Sequence, residues 1–151
     1  MKVTRMAEYI QLDQTKYTMD ILAKYDHLLQ EYKKKNYATS MEQDLKLRKS
    51  EADSMTRQQT DYVERFPYMN IVGALLYLSI NTRPDISYSV GVLARFCTRP
   101  NYRVCKAVLR VLVYLRRTPD KGIRYTGTDL SVYAYSDADW AGDLDSWKST
   151  T

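Results

Sequence analysis

The side chains best placed by type and spacing to do chemistry lie near one end of the sequence, in Tyr135-Ser136-Asp137-Ala138-Asp139-Trp140-Ala141-Gly142-Asp143. Alternate residues of a strand share a face, so Asp137 and Asp139 point the same way if a strand persists that far. Paired carboxylate oxygens suit magnesium, and enzymes that cut phosphodiesters use two such ions to align the attacking water and stabilise the leaving oxygen. An Asp-rich turn with no chemistry has the same composition. A second set is basic: Arg103, Lys106, Arg110 and Arg117 fall within an arc of roughly 60° at about 100° per residue. Such a stripe can meet phosphates, which reward cations through counterion release, or it can be the solvated face of a helix. His27 is the sole histidine, so neither a His-based triad nor a multi-His metal site can be built. Cys97 and Cys105 have neither metal-ligand nor redox spacing, which points to a reducing, intracellular setting.

The 151 residues support one domain or a piece of one, and 44% hydrophobic with 27% charged residues excludes low-complexity disorder. The net charge of +5 is unevenly spread. Between Arg95 and Arg124 nine basic residues face one acid, Asp120, whereas from Asp129 onward five aspartates face only Lys148. The longest apolar run, Ile71 to Ile80, is shorter than the roughly 20 residues a bilayer demands, so no membrane partner is expected. The first residues lack the apolar core of a secretion signal.

Several elements must position these groups. Residues 8–12 alternate weakly, as in a short strand. Tyr17, Ile21, Tyr25, Leu28 and Tyr32 then recur at helical spacing and run into Lys33-Lys34-Lys35, cations favourable at a helix C-terminus and, alternatively, a nuclear-import signal. Residues 36–66 are polar and aperiodic, and read as a mobile linker with at most one helical turn. A largely buried helix is expected from Tyr68 to Ile80, with Gly73 where a neighbouring backbone approaches. Arg83-Pro84-Asp85 resets the chain, Asp85 capping a second helix with Ile86, Val90, Leu93 and Cys97 inward, which Pro100 ends. A third, Tyr102 to Arg117, carries the apolar stripe Val104, Ala107, Val108, Val111, Leu112 and Leu115, leaving the basic stripe continuous and facing solvent. Pro119-Asp120-Lys121-Gly122 is a turn in which Gly permits positive φ, and strands are expected at 123–126 and 130–136.

Ile10-Gln11-Leu12-Asp13-Gln14-Thr15-Lys16-Tyr17, Val72-Gly73-Ala74-Leu75-Leu76-Tyr77-Leu78, Thr82-Arg83-Pro84-Asp85-Ile86, Leu93-Ala94-Arg95-Phe96, Ala107 to Leu115 and Tyr135 to Asp143 follow one another in an order and spacing that resembles the pol polyprotein of copia-type LTR retrotransposons. Trp147 stands where that family usually has Arg, and Thr39-Ser40-Met41 lacks its usual proline.

The resemblance implies an α+β chain: the end of the polymerase palm and a first thumb helix (1–35), the polar linker (36–66), a helical thumb and connecting region (67–126), and the start of an incomplete ribonuclease H-like fold (127–151). It implies a parent that copies RNA into DNA and degrades hybrid RNA with Mg2+, with template–primer or hybrid nucleic acid and the remaining polyprotein as partners, in a cytoplasmic particle or the nucleus. Asp137 becomes the first of four ribonuclease H metal carboxylates. No two aspartates are adjacent, so the polymerase's paired-Asp motif is missing from the sequence. The expectation is a polyprotein fragment inactive by itself. Two alternatives are a non-catalytic nucleic-acid-binding module using Arg103, Lys106, Arg110 and Arg117, and an interaction protein pairing through strand edges at Val132 and Tyr135.

Overall fold

The computed structural model describes residues 1–127. Strands β1 (Lys2–Arg5) and β2 (Tyr9–Asp13) form a hairpin, and β3 (Gly122–Thr126) pairs with the other side of β2. All pairings are antiparallel, with Val3 opposite Leu12 and Leu12 opposite Ile123. The two ends of the described chain therefore meet in one sheet, with the helices between them in sequence. The weak alternation near residue 10 is β2, while β1 has a single apolar residue, Val3, and leaves almost no period to read.

Gly122 is required for a different reason from the one expected. No glycine among the described residues has positive φ. A Cβ at Gly122 would press into the carbonyl oxygen of Leu12 and against Asp13. The residue is small so that β3 can approach β2, not so that the turn can bend.

Helix α1 (Thr15–Lys24) is shorter than its periodicity suggests, because Asp26–Tyr32 continues as a 3-10 helix. A spacing of three and four serves both geometries, so Tyr25, Leu29 and Tyr32 stay buried through the change. His27 is exposed on this turn. Residues 36–66 differ more from expectation. They contain a 3-10 turn (Lys49–Ala52) and helix α2 (Arg57–Arg65), and they bury Leu47, Val63 and Phe66. Thr56 and Gln59 form a capping box: Thr56 Oγ1 accepts from the Gln59 amide at 3.3 Å, and Gln59 Oε1 accepts from the Thr56 amide at 3.0 Å.

Helix α3 (Tyr68–Asn81) buries Ile71, Val72, Leu75 and Leu78 but leaves Met69, Gly73, Tyr77 and Ile80 exposed. It is one-sided rather than largely buried, and nothing approaches Gly73. Helix α4 (Ser87–Ala94) ends well before Pro100, because the chain turns at Arg95 to send Phe96 into the core. Helix α5 (Tyr102–Arg117) is central, packing against α1, α2, α3, α4 and the 3-10 helix Asp26–Tyr32. Beyond the expected stripe it buries Cys105, Leu109, Val113 and Tyr114, so apolar neighbours surround most of its circumference. Its N-cap is Asn101, whose side-chain oxygen accepts from the Val104 amide at 3.0 Å while Nδ2 donates to the Arg48 carbonyl at 3.0 Å. No helix among the described residues is long and apolar enough to cross a membrane.

Candidate nucleic-acid interface

The four cations expected to line an open helix face are placed in unlike surroundings, since the segment from Tyr32 to Asp53 crosses over that side of α5. Arg103 donates to Glu51 Oε1 at 2.5 Å. Lys106 has 28% of its side chain exposed; its ammonium lies 3.6 Å from Glu31 and 5.1 to 5.8 Å from the ring centres of Tyr62, Tyr102 and Tyr32. Arg110 stacks 4.2 Å above the Tyr37 ring and donates to Thr39 Oγ1 at 3.2 Å, while its Nε is buried without an acceptor. Only Arg117 is exposed with no hydrogen-bond or ion-pair partner among the described residues. The expected continuous, solvent-facing stripe is thus broken: Arg103 and Arg110 are held by the overlying segment, Lys106 sits among Glu31, Tyr32, Tyr62 and Tyr102, and Arg117 has no partner among the described residues.

Burial works against the charge on Lys106, but Coulombic attraction to the Tyr62 and Tyr32 oxygens and a hydrogen bond with Tyr102 outweigh it and hold its pKa above the usual lysine value. Burial raises the Tyr62 hydroxyl to about 12. At neutral pH, then, the ammonium sits beside neutral Tyr32 and Tyr62 phenols. Arg116 ties the crossing segment down, donating to the Tyr32 carbonyl at 2.7 Å. Between the segment and α5 lies a cavity of about 280 Å³ lined by Tyr32, Lys35, Tyr37, Tyr102, Lys106 and Arg110, with Arg103 and Glu42 at its wall.

A second cluster explains the Thr82-Arg83-Pro84-Asp85 motif. Arg83 is 1% exposed and its guanidinium forks onto Asp85, with Nε to Oδ1 at 2.9 Å and Nη2 to Oδ2 at 2.8 Å. Two further donors reach the carbonyl and hydroxyl of Thr118 at 2.7 and 2.8 Å. Asp85 also accepts from the Tyr114 hydroxyl at 2.8 Å, and Thr82 donates to Gln14 at 2.9 Å. Asp85 does not cap a helix as expected, because its oxygens serve Arg83 and Tyr114 instead. The motif joins the end of α3 to the end of α5 and the start of α1, which fixes where β2 and β3 leave the helical body.

The retrovirus-related Pol polyprotein from transposon RE2 of Arabidopsis thaliana is 40% identical over 147 residues, which is 97% of this chain and 9% of that protein. The retrovirus-related Pol polyprotein from transposon TNT 1-94 of Nicotiana tabacum is 34% identical over 147 residues, 97% of this chain and 11% of that protein. The chain belongs to the copia-type retrotransposon Pol family. It spans about a tenth of the length of these relatives. Secreted RxLR effector protein 161 of Plasmopara viticola is 42% identical over 90 residues, 59% of this chain and 63% of that protein. No family model matches the chain, and no solved structure matches it significantly.

Asp137, Asp139, Asp143, the strand expected at 130–136 and the edges at Val132 and Tyr135 lie outside the described residues. Sequence reasoning missed the tyrosines around Lys106 and Arg110. Tyr32 and Tyr37 come from the crossing segment, Tyr62 from α2 and Tyr102 from α5; Tyr32 stands in a helical stripe of the sequence, but nothing local to the sequence brings the four together.

Proposed function

We propose that this chain corresponds to the reverse-transcriptase thumb and connecting region of a copia-type Pol polyprotein, running into the opening of ribonuclease H. Its task in that setting is to hold template–primer or hybrid nucleic acid, with the remaining polyprotein as its structural partner, in an intracellular setting. The observation that carries this reading is the match of Pol polyproteins across 97% of the chain. The cations of α5 support it, since Arg117 is free to meet a phosphate and Lys106 and Arg110 line a partly open cavity.

The 151 residues contain no adjacent aspartates, and of the four ribonuclease H carboxylates only Asp137 is assigned, by resemblance. Among the described residues no group of three or more His, Cys, Asp or Glu could hold a metal ion, so they offer no site that fits the parent's Mg2+. On this reading the 151-residue chain by itself binds hybrid and does not cleave it. In a fluorescence-anisotropy titration, affinity for a labelled RNA–DNA hybrid falls with rising salt. Arg117→Ala reduces the log–log slope by about one, the share of a single phosphate contact. Hybrid incubated with Mg2+ stays intact on a denaturing gel. Binding indifferent to salt, or RNA cleavage lost in Asp137→Asn, would overturn the proposal.

The cations of α5, which need no catalytic group to meet phosphates, favour a second reading, a non-catalytic nucleic-acid-binding helical module. The readings separate on substrate geometry. A thumb prefers a recessed primer–template junction, whereas a general binding module treats junction and plain duplex alike.

A further inference from the structure

We infer that the cavity between α5 and the overlying Tyr32 to Leu45 segment is a site for a single phosphate-bearing nucleotide. This goes beyond the proposed nucleic-acid contact and rests on it only for the class of ligand.

The lining sets that class. Lys35, Arg103, Lys106 and Arg110 surround the space against one lining carboxylate, Glu42, so an anion is favoured within. Arg103 is already engaged by Glu51, and Lys106 lies 3.6 Å from Glu31. Arg110 differs. Its Nη2 meets only a neutral hydroxyl, on Thr39, and its Nε is a buried donor with no acceptor. That Nε lies beneath the surface, so it is the Nη edge, bonded to Thr39 and to no carboxylate, that a phosphate oxygen can meet. Lys35 lies across the same space, exposed, with its ammonium 5.1 Å from the Tyr32 ring centre.

Charge alone would suit inorganic phosphate. The rest of the wall is aromatic, with Tyr32, Tyr37 and Tyr102 lining the cavity, and tyrosine rings offer a base sequence-tolerant stacking. At about 280 Å³ the space lies near the lower end of small-molecule sites, roughly 300–1,000 Å³, so it admits one nucleotide and excludes a duplex. Both a free nucleotide and the end of a single strand present this chemistry.

The test uses the full 151-residue chain in isothermal titration calorimetry with adenosine monophosphate, adenosine, inorganic phosphate and a short single-stranded oligoadenylate. The site predicts that the monophosphate binds more tightly than either adenosine or phosphate. Arg110→Gln should weaken it about tenfold, in line with the loss of one charge-assisted bond, and Lys35→Ala should weaken it less, with circular dichroism unchanged in both. Tighter binding of the oligonucleotide than of the monophosphate identifies a strand as the source; equal binding identifies the free nucleotide. Binding of the monophosphate no tighter than adenosine or phosphate, no binding by the folded wild-type chain, or indifference to both substitutions would overturn the assignment. Because Arg117 is not in the cavity wall, its salt-dependent contribution to hybrid binding can survive the failure of this site, and the reverse.

Discussion

Arg83 illustrates how a buried charge can be tolerated. Asp85 neutralises it through two bonds and Thr118 accepts two more, so the guanidinium is paired as well as enclosed. Removing one partner of such a pair costs about 3–5 kcal/mol when both are deeply buried. Asp85 retains 31% of its side-chain exposure and can be rehydrated, so the lower end applies. Arg83→Ala is expected to lose about 3 kcal/mol in urea denaturation, and Arg83→Lys to recover only part of that, because an ammonium cannot reproduce the fork. Burial pushes the Asp85 carboxyl up, but hydrogen bonds from Arg83 and Tyr114 and the Arg83 charge outweigh it and hold its pKa below the usual carboxylate range. A depressed folded pKa means that the contribution is complete above the unfolded value of about 3.9 and is lost as pH falls through the folded one. Stability measured by chemical denaturation should therefore decline below about pH 4, and that decline should be shallower in Asp85→Asn.

Among the elements, the caps are the features most directly written in the sequence. Thr56 and Gln59 satisfy each other's amides at the exposed start of α2, and Thr56→Ala should cost about 1 kcal/mol. Asn101 is 1% exposed and holds both α5 and the Arg48 carbonyl, so Asn101→Ala should cost more, about 2 kcal/mol, by thermal or urea melting. An equal loss from both would contradict the bridging role of Asn101. The Thr-x-x-Gln spacing lies within 36–66, a stretch whose polarity and lack of period read as a linker. That stretch is polar because α2 buries only Val63 of its own residues. Helix α5 posed the opposite difficulty. Its period was plain, but a period locates the most buried line of a helix and does not tell how many neighbours it has.

Across the whole molecule, the sheet joins strands more than a hundred residues apart in sequence, and Gly122 is where that closure is tightest. Gly122→Ala should displace β3 from β2 and lower stability by about 1–3 kcal/mol, the usual cost of overpacking, with hydrogen exchange quickened in β2 and β3 and little changed in α3. Uniform change across the protein would indicate that sheet and helices unfold as one unit. Leu112, fully buried in α5, should lose about 2–5 kcal/mol as Leu112→Ala and affect every element.

The sequence by itself determined the mixed composition of helix and strand, the positions of α3, α4 and α5 to within a few residues at most ends, and membership of the copia-type family, because helical periods, caps and ordered motifs are local properties. Only the tertiary structure decided that Tyr25 ends α1, that residues 36–66 fold over α5, and that Arg83, Asp85, Tyr114 and Thr118 form one network. It also decided that Arg103 is held by Glu51, and Lys106 and Arg110 beside tyrosines, while Arg117 is exposed. Arcs on a helical wheel record direction from an axis; whether solvent, a carboxylate or an aromatic ring occupies that direction depends on chain segments distant in sequence, and those are brought there by packing.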